Sequence, residues 1–334
     1  MRDQFGRNID YMRVSVTDRC NLRCIYCMPE EGIPCVSHSD ILTFDEIRRI
    51  CGIGAELGIS RIKLTGGEPL VRRGLPGLLG MLKKIPGIEQ VTLTTNGILL
   101  KDNINELVSN GLDAVNISID TLDPEYYHKI TRRGGIEEVL SGLDAALSYP
   151  ALKVKVNCVP LKGMPEETYV QLASLAKDRD VDVRFIEMMP IGLGKEYCGV
   201  SGQEIYNILK ERFGEAERCN GKFGNGPAVY VQFSGFQGKI GFIDAVTHKF
   251  CSTCNRVRLT SEGRLKLCLQ YETGIDMRKL LRSGADDEVI RQEMRRVIYE
   301  KPACHHFADG RPDTPASLSG DEKLETRDMS QIGG

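Results

Sequence analysis

The feature that most constrains this chain is the arrangement of its cysteines. Six of the twelve cysteines fall into two triplets. The members are Cys20, Cys24 and Cys27, followed by Cys251, Cys254 and Cys268. The Cys-x3-Cys-x2-Cys spacing of the first triplet allows one loop to wrap three thiolates around a single metal centre. Each triplet is one ligand short of the four that close a structural site, which is typical of a centre with one position open.

The amino-acid composition indicates that these thiols bind metal rather than form disulfides. Twelve cysteines in 334 residues are about 4%, well below the density of disulfide-stapled scaffolds. The chain has no apolar run long enough to span a membrane, and it begins with charged residues rather than a signal peptide. We therefore expect a cytoplasmic protein that binds no membrane and whose clustered thiols bind metal. The net charge of −2 predicts no nucleic-acid partner, so an anion site must be built locally.

The hydrophobic pattern predicts an α/β fold with an incomplete barrel. Over the first two-thirds of the chain, β-branched apolar runs alternate with amphipathic stretches, which favours a parallel sheet with right-handed crossovers. The predicted strands cover residues 11–16, 61–65, 90–94, 114–119, 153–159 and 181–187. Six strand–helix units are too few to close an eight-stranded barrel. The sequence therefore predicts a partial TIM-type barrel, with a flat doubly wound sheet as the alternative.

The pattern changes near residue 220, which predicts a domain boundary. Residues 1–220 form the predicted barrel, and residues 221–334 form a C-terminal α+β region that covers its open side. This region contains a predicted hairpin, two helices and the second cysteine triplet. The last residues, about thirty, are polar and predict an extended tail.

The first triplet and a glycine-rich turn together resemble the radical S-adenosylmethionine (SAM) superfamily. The sequence reads CNLRCIYC at residues 20–27 and TGGEP at residues 65–69, at the end of the second predicted strand. The resemblance implies a [4Fe–4S] cluster on the first triplet, with an open iron that binds SAM. It also implies that the reduced cluster cleaves SAM to a 5′-deoxyadenosyl radical. From the thiols alone, structural zinc and three incidental cysteines remain alternatives.

The second triplet encloses a basic segment that predicts an anion site. Between residues 249 and 268 there are five basic residues and one acidic residue. Arg256 and Arg258 alternate along a predicted strand and would project to the same side. Paired guanidinium groups suit phosphate oxygens. Taken alone, this segment could also be a zinc knuckle with a solvated basic strand.

Together the two motifs and a terminal double glycine resemble the GTP 3′,8-cyclase family (molybdenum cofactor biosynthesis protein A) over nearly the whole chain. The resemblance implies a lyase in which the radical abstracts the ribose H3′ of GTP and C3′ then adds to guanine C8. Reduction of the resulting radical would give (8S)-3′,8-cyclo-7,8-dihydroguanosine 5′-triphosphate, in the first step of molybdenum cofactor biosynthesis. It further implies a second [4Fe–4S] cluster that holds GTP, a flavodoxin- or ferredoxin-type reductant, a downstream cyclic pyranopterin monophosphate synthase, and a homodimer.

The resemblance also implies individual site residues. The SAM contacts fall on Tyr26, Gly67, Ser118 and Met189. The GTP contacts fall on Arg13, Lys63, Thr94, Lys155, Arg256 and Arg258. Catalytic roles fall on Arg13, Gly333 and Gly334, with the tail entering the active site. Lys63 keeps the charge of the arginine that is common in the family but lacks its bidentate fork.

Two other functions remain open at this stage. A radical SAM enzyme that modifies peptides or proteins would usually carry more C-terminal cysteines, and here only Cys304 could supply a fourth ligand. A zinc-dependent binding module is the alternative from another class. We expect Cys304 to be an ordinary thiol, and His305 and His306 to lie on the surface or in the tail.

Overall fold

Twelve strands form one sheet in the part of the chain that the computed structural model describes, residues 1–34, 36–221, 223–307 and 323–333. The strands are β1 (Tyr11–Ser15), β2 (Arg61–Thr65), β3 (Gln90–Thr95), β4 (Ala114–Ser118), β5 (Lys153–Cys158), β6 (Asp182–Ile186), β7 (Ala216–Arg218), β8 (Val229–Phe233), β9 (Ile240–Ile243), β10 (Arg256–Leu259), β11 (Arg264–Lys266) and β12 (Gly274–Asp276). Their order in the sheet is β12-β11-β10-β1-β2-β3-β4-β5-β6-β9-β8-β7.

The first six strands lie side by side in chain order and are all parallel, with helices between them. The helices are α1 (Phe44–Glu56), α2 (Leu75–Lys83), α3 (Leu100–Ser109), α4 (Pro124–Thr131), α5 (Ile136–Leu147), α6 (Glu166–Asp178), α7 (Gly202–Phe213), α8 (Met277–Arg282), α9 (Asp287–Tyr299) and α10 (Met329–Ile332). Among these helices, none combines the length and apolar character that a membrane-spanning segment requires. The predicted α/β fold with a partial TIM-type barrel is confirmed.

The parallel strands alternate between an apolar face and a polar face. In β1, Met12 and Val14 belong to the hydrophobic core, whereas Arg13 lies between them on the opposite face. In β2, Ile62 and Leu64 belong to the same core. This core also includes residues of α1 to α6, so the apolar faces of the strands pack against the helices. The polar faces are left to line an internal cavity.

The C-terminal region extends the sheet at both edges. β10 pairs in parallel with β1, and β9 pairs in parallel with β6, so the sheet has eight neighbouring parallel strands. Antiparallel strands follow outside them on both sides. The sequence predicts the β8–β9 hairpin but not these edge pairings, because a short apolar run does not specify its neighbour. The domain boundary at residue 220 stays a prediction.

The last described segment, residues 323–333, folds back onto the protein instead of extending from it. Leu324 forms a bridge with Tyr271, and the carboxylate of Glu325 pairs with the ammonium group of Lys266. Both side chains of this ion pair are buried. Composition predicts an extended tail here because it does not reveal that a buried partner offsets the cost of ordering the chain.

Candidate functional site

A cavity of about 760 Å³ runs along the polar face of the parallel strands. Every residue predicted to bind a cluster, SAM or GTP lines this cavity. These residues are Arg13, Cys20, Cys24, Tyr26, Cys27, Lys63, Gly67, Thr94, Ser118, Lys155, Met189, Cys251, Cys254, Arg256, Arg258 and Cys268. The structure thus brings together side chains from both ends of the chain.

The two cysteine triplets lie at opposite ends of the cavity. The first triplet follows the carboxyl end of β1, whereas Cys254 lies just before the amino end of β10, the parallel neighbour of β1. In this register Tyr11 pairs with Arg256 and Val14 pairs with Leu259. The ends are therefore separated by roughly the length of a five-residue strand, ~17 Å. A reaction that uses both triplets must place its reactants between them.

The first triplet has the donors and the surroundings for an iron–sulfur cluster. Its three thiols are free, and the Cys27 N–H donates to the Cys24 carbonyl at 2.9 Å to close the loop. Burial raises the pKa of Cys20 to about 11 and that of Cys27 to about 12. Their thiolate forms therefore need the positive charge of a bound metal. These residues fit a [4Fe–4S] cluster with one iron open to a further ligand.

The glycine turn after β2 approaches the cysteine loop so closely that it excludes a side chain. A Cβ atom on Gly67 would lie 2.4 Å from the carbonyl oxygen of Arg19. The carboxylate of Glu68 accepts hydrogen bonds from Thr95 Oγ1 and from the Asn96 N–H, both at 2.7 Å. Burial raises the pKa of Glu68 to about 7. These bonds hold the carboxyl ends of β2 and β3 together beside the first triplet.

Asp120, which the sequence reasoning missed, positions the predicted SAM residue Tyr26. The Tyr26 hydroxyl donates to Asp120 Oδ2 at 2.6 Å, and the Val159 N–H donates to Asp120 Oδ1 at 2.8 Å. Burial raises the pKa of Asp120 to about 6. The cysteine loop is thereby connected to the ends of β4 and β5. The sequence pattern could have identified Asp120, because it continues the alternation of polar residues that begins at Ser118.

Cations line the middle of the cavity and face one another. Arg258, Arg13 and Lys63 occupy the same register on the adjacent strands β10, β1 and β2. Burial, together with the neighbouring charges of Arg184 and Arg13, holds the pKa of Lys63 well below its usual range. Burial also lowers the pKa of Arg258, with a contribution from Arg13. A bound polyanion would relieve this repulsion, so the arrangement indicates a site for one.

Arg184 is a further cation in the cavity that the sequence reasoning missed. It lies on β6, and its Nε and Nη2 atoms donate to Asn157 Oδ1 at 2.9 and 2.6 Å. Because this partner is a neutral amide, these bonds do not offset the positive charge of the guanidinium. Lys155 differs, because Asp182 lies 2.8 Å from its ammonium group. The alternation of β6 offered a signal for Arg184, as it did for the predicted residues.

Basic side chains lie near Cys254 of the second triplet. Burial raises the pKa of Cys254, but the charges of Lys301 and Arg256 outweigh burial, and the pKa lies below its ordinary value. A short 3-10 turn, Cys251–Thr253, brings the first two thiols of this triplet to the cavity. The donor set and this environment fit a second cluster of the same kind.

Two residues that we expected to be incidental line the cavity with the second triplet. Cys304 is half-buried there, and the hydroxyl of Tyr271 donates to its carbonyl at 3.3 Å. His305 is buried, so the prediction that it lies on the surface or in the tail is wrong. The burial of this segment could not be predicted from residue spacing, because residues 301–303 form hydrogen bonds with a residue that is distant in the chain.

Arg7 provides those contacts, which leads to a testable prediction. Its buried guanidinium donates to the carbonyls of Cys251 at 3.0 Å and Ala303 at 2.9 Å, and it pairs with Asp3 at 2.6 Å. Replacing Arg7 with methionine would leave a buried carboxylate without its cation. We expect a loss of about 3–5 kcal/mol in the free energy of unfolding, measured by denaturant titration. The exposed Arg2, changed to methionine, is the control, and equal stability of the two variants would contradict the assignment.

Gly333, near the end of the tail, contacts one of the cations that line the cavity. Arg258 Nη1 donates to the Gly333 carbonyl at 2.8 Å. Gly333 has a φ of +76°, and a Cβ atom on it would lie 2.9 Å from Ser15 Cβ, so this position favours glycine. The structure therefore places Gly333 beside the predicted GTP residues. Gly334 lies outside the described residues.

No compact site for a single metal ion is present in the described ranges. Among these residues, no three His, Cys, Asp or Glu side chains are grouped to hold one ion.

The fold, the three-thiol loop and the glycine turn define a radical SAM enzyme. A family model described as the Radical SAM superfamily matches residues 14–176, and one described as Molybdenum Cofactor Synthesis C matches residues 181–307. Relatives named GTP 3′,8-cyclase from Clostridium perfringens and Heliobacterium modesticaldum are each 44% identical to this chain and cover 100% of both chains. The chain belongs to the GTP 3′,8-cyclase family. This membership implies a [4Fe–4S] cluster and SAM as cofactors.

Solved structures support the fold. The crystal structure of Streptococcus suis SuiB has a TM-score of 0.57 at 14% identity and covers 92% of this chain and 68% of that chain. SuiB bound to S-adenosylmethionine gives a TM-score of 0.59 at 14% identity, over 85% of this chain and 67% of that chain. At this identity the likeness concerns the fold alone.

Proposed function

We propose that this chain converts GTP to (8S)-3′,8-cyclo-7,8-dihydroguanosine 5′-triphosphate in the first step of molybdenum cofactor biosynthesis. The observation that carries the proposal is one cavity with a three-thiol site at each end and buried cations between them. A purine nucleoside triphosphate offers a base to one metal centre and phosphates to guanidinium groups. The relatives that match the whole chain carry the corresponding name, which supports the same substrate.

We assign different roles to the residues at the two ends of the cavity. When bound, the first cluster and SAM would supply a 5′-deoxyadenosyl radical that removes the ribose H3′, so that C3′ can bond to guanine C8. One further electron from the external reductant and one proton would then convert the purine radical to the 7,8-dihydro product. Tyr26, Gly67, Ser118 and Met189 would bind SAM beside the first triplet. Arg13, Lys63, Thr94, Lys155, Arg256 and Arg258 would bind and orient GTP, and Cys251, Cys254 and Cys268 would hold a second [4Fe–4S] cluster. Arg13 and the double glycine would complete the catalytic site.

Further partners follow from the chemistry proposed. Reductive cleavage of SAM needs an electron donor, for which we propose a flavodoxin- or ferredoxin-type protein. A cyclic pyranopterin monophosphate synthase would consume the product. The homodimer and the cytoplasmic location stay predictions.

Isotope transfer tests the reaction. Reduced protein is incubated without oxygen with SAM and GTP that carries deuterium at C3′, and 5′-deoxyadenosine is examined by mass spectrometry. We expect one deuterium in the 5′-deoxyadenosine and a cyclised nucleotide with the elemental composition of unlabelled GTP, because the C3′ deuterium is lost and one electron and one proton are gained. Formation of unlabelled 5′-deoxyadenosine at the same rate with and without GTP would refute the proposal.

Removing the double glycine should separate cluster assembly from turnover. Deletion of Gly333 and Gly334 takes away the carbonyl that Arg258 contacts but leaves both cysteine triplets intact. We expect GTP-dependent formation of 5′-deoxyadenosine to be lost, while the iron content stays at the level of the full chain. Full activity of the shortened protein would contradict a role for the tail tip.

A further inference from the structure

Ser330, in the tail helix α10, lies in the cavity beside the first triplet. Ser330 is buried, with 2% of the residue accessible to solvent. Within the described part of the chain its Oγ atom has no hydrogen-bond partner. Its backbone N–H lies close enough to the sulfur of Cys27, a predicted ligand of the first cluster, to lower the pKa of that thiol. A tail residue therefore contacts the opposite end of the cavity from the second triplet.

The rest of the tail holds Ser330 in this position. The Leu193 N–H donates to Asp328 Oδ1 at 3.2 Å, which fixes the start of α10. Ile332 is fully buried against Ile191 and Leu269. Because Ser330 lies between these two anchors, the packing of the tail sets its position.

We propose that Ser330 is a binding residue of the first cluster site, with its amide on the Cys27 sulfur and its hydroxyl on an anionic acceptor in the cavity. The acceptor is either a sulfur atom of the cluster or the carboxylate of SAM, both of which take a hydroxyl donor. A buried hydroxyl without an acceptor is costly, and a ligand that accepts its proton removes that cost. The inference rests on the proposed function only in requiring the first cluster and SAM.

The position of Ser330 beside the first triplet would affect the reduction potential of the first cluster. Hydrogen bonds to the sulfur atoms of an iron–sulfur cluster raise its reduction potential. The same tail segment is bound through Gly333 by Arg258, one of the predicted GTP residues. The tail thus connects the GTP site to the surroundings of the first cluster.

Two measurements on the full-length protein with its clusters test Ser330. The first is the reduction potential of the first cluster without SAM, from a redox titration followed by electron paramagnetic resonance. The second is the dissociation constant of SAM, measured without oxygen. Ser330→Ala should lower the potential if the hydroxyl acts on cluster sulfur, or weaken SAM binding by about tenfold if it acts on the carboxylate.

Matched variants make the result specific. Thr326→Ala removes a hydroxyl from an exposed tail residue and should change neither quantity. Ser330→Thr keeps the hydroxyl and should retain both, which separates a lost hydrogen bond from poor folding. Unchanged potential and unchanged SAM affinity in Ser330→Ala would overturn the inference. Absence of iron or of GTP-dependent isotope transfer in the unmodified protein would instead count against the proposed function.

Discussion

Replacing Cys20, Cys24 and Cys27 with alanine is expected to abolish SAM cleavage. The three thiols form the donor set at the carboxyl end of β1, and alanine has no atom that can bind iron. We expect iron to fall from about eight to about four atoms per chain, because the second triplet lies at the other end of the cavity. Iron analysis and 5′-deoxyadenosine formation without oxygen would measure both effects.

The reciprocal variant separates the roles of the two sites. Replacing Cys251, Cys254 and Cys268 with alanine should also leave about four irons per chain, but these irons should still support SAM cleavage under strong reductant. GTP should no longer be cyclised. Cys198→Ala removes an exposed thiol and serves as the control. If the first variant kept all its iron, or if the second lost all of it, two independent clusters would be contradicted.

The parallel core could be predicted from the sequence, and candidate site residues could be named, because both depend on local patterns. The alternation in β1, with Met12 and Val14 on one face and Arg13 on the other, identifies the strand and the face at once. The cysteine spacing and the turn at Gly67 are equally local. The residues named from those motifs in the described part of the chain all line one cavity.

The parts that could not be predicted depend on contacts distant in the chain. The parallel pairing of β10 with β1 puts Arg258 in register with Arg13, and no pattern within either strand specifies this neighbour. Likewise, the guanidinium of Arg7 binds the carbonyl of Ala303, two residues before the buried His305, although the two lie nearly three hundred residues apart in the chain. Ser330 is polar and lies in a segment of low hydrophobicity, so composition assigns it to solvent. Its burial depends on an ion pair and an isoleucine that anchor the tail.

Replacing Arg258 with alanine is expected to weaken GTP binding by about a hundredfold. The guanidinium is buried between the cations of β1 and the tail, and removing one charged partner of a buried contact typically costs about 2–5 kcal/mol. The loss should lie toward the lower part of this range, because the removal also relieves repulsion with Arg13. Arg258→Lys keeps the charge but not the bidentate fork, and we expect an intermediate loss. Arg295→Ala makes the same change in net charge at an exposed position of α9 and should bind GTP normally.

Comparison of GTP with guanosine identifies the part of the substrate that Arg258 contacts. If the guanidinium binds phosphate, Arg258→Ala should weaken the binding of GTP but leave that of guanosine unchanged. Equal loss for both ligands would place Arg258 against the nucleoside or give it a structural role. Because Arg258 also contacts Gly333, the variant should be combined with deletion of Gly333 and Gly334. Additive effects on GTP affinity would mean that the arginine acts on the phosphates directly, whereas a combined effect no larger than either single effect would mean that it acts by holding the tail.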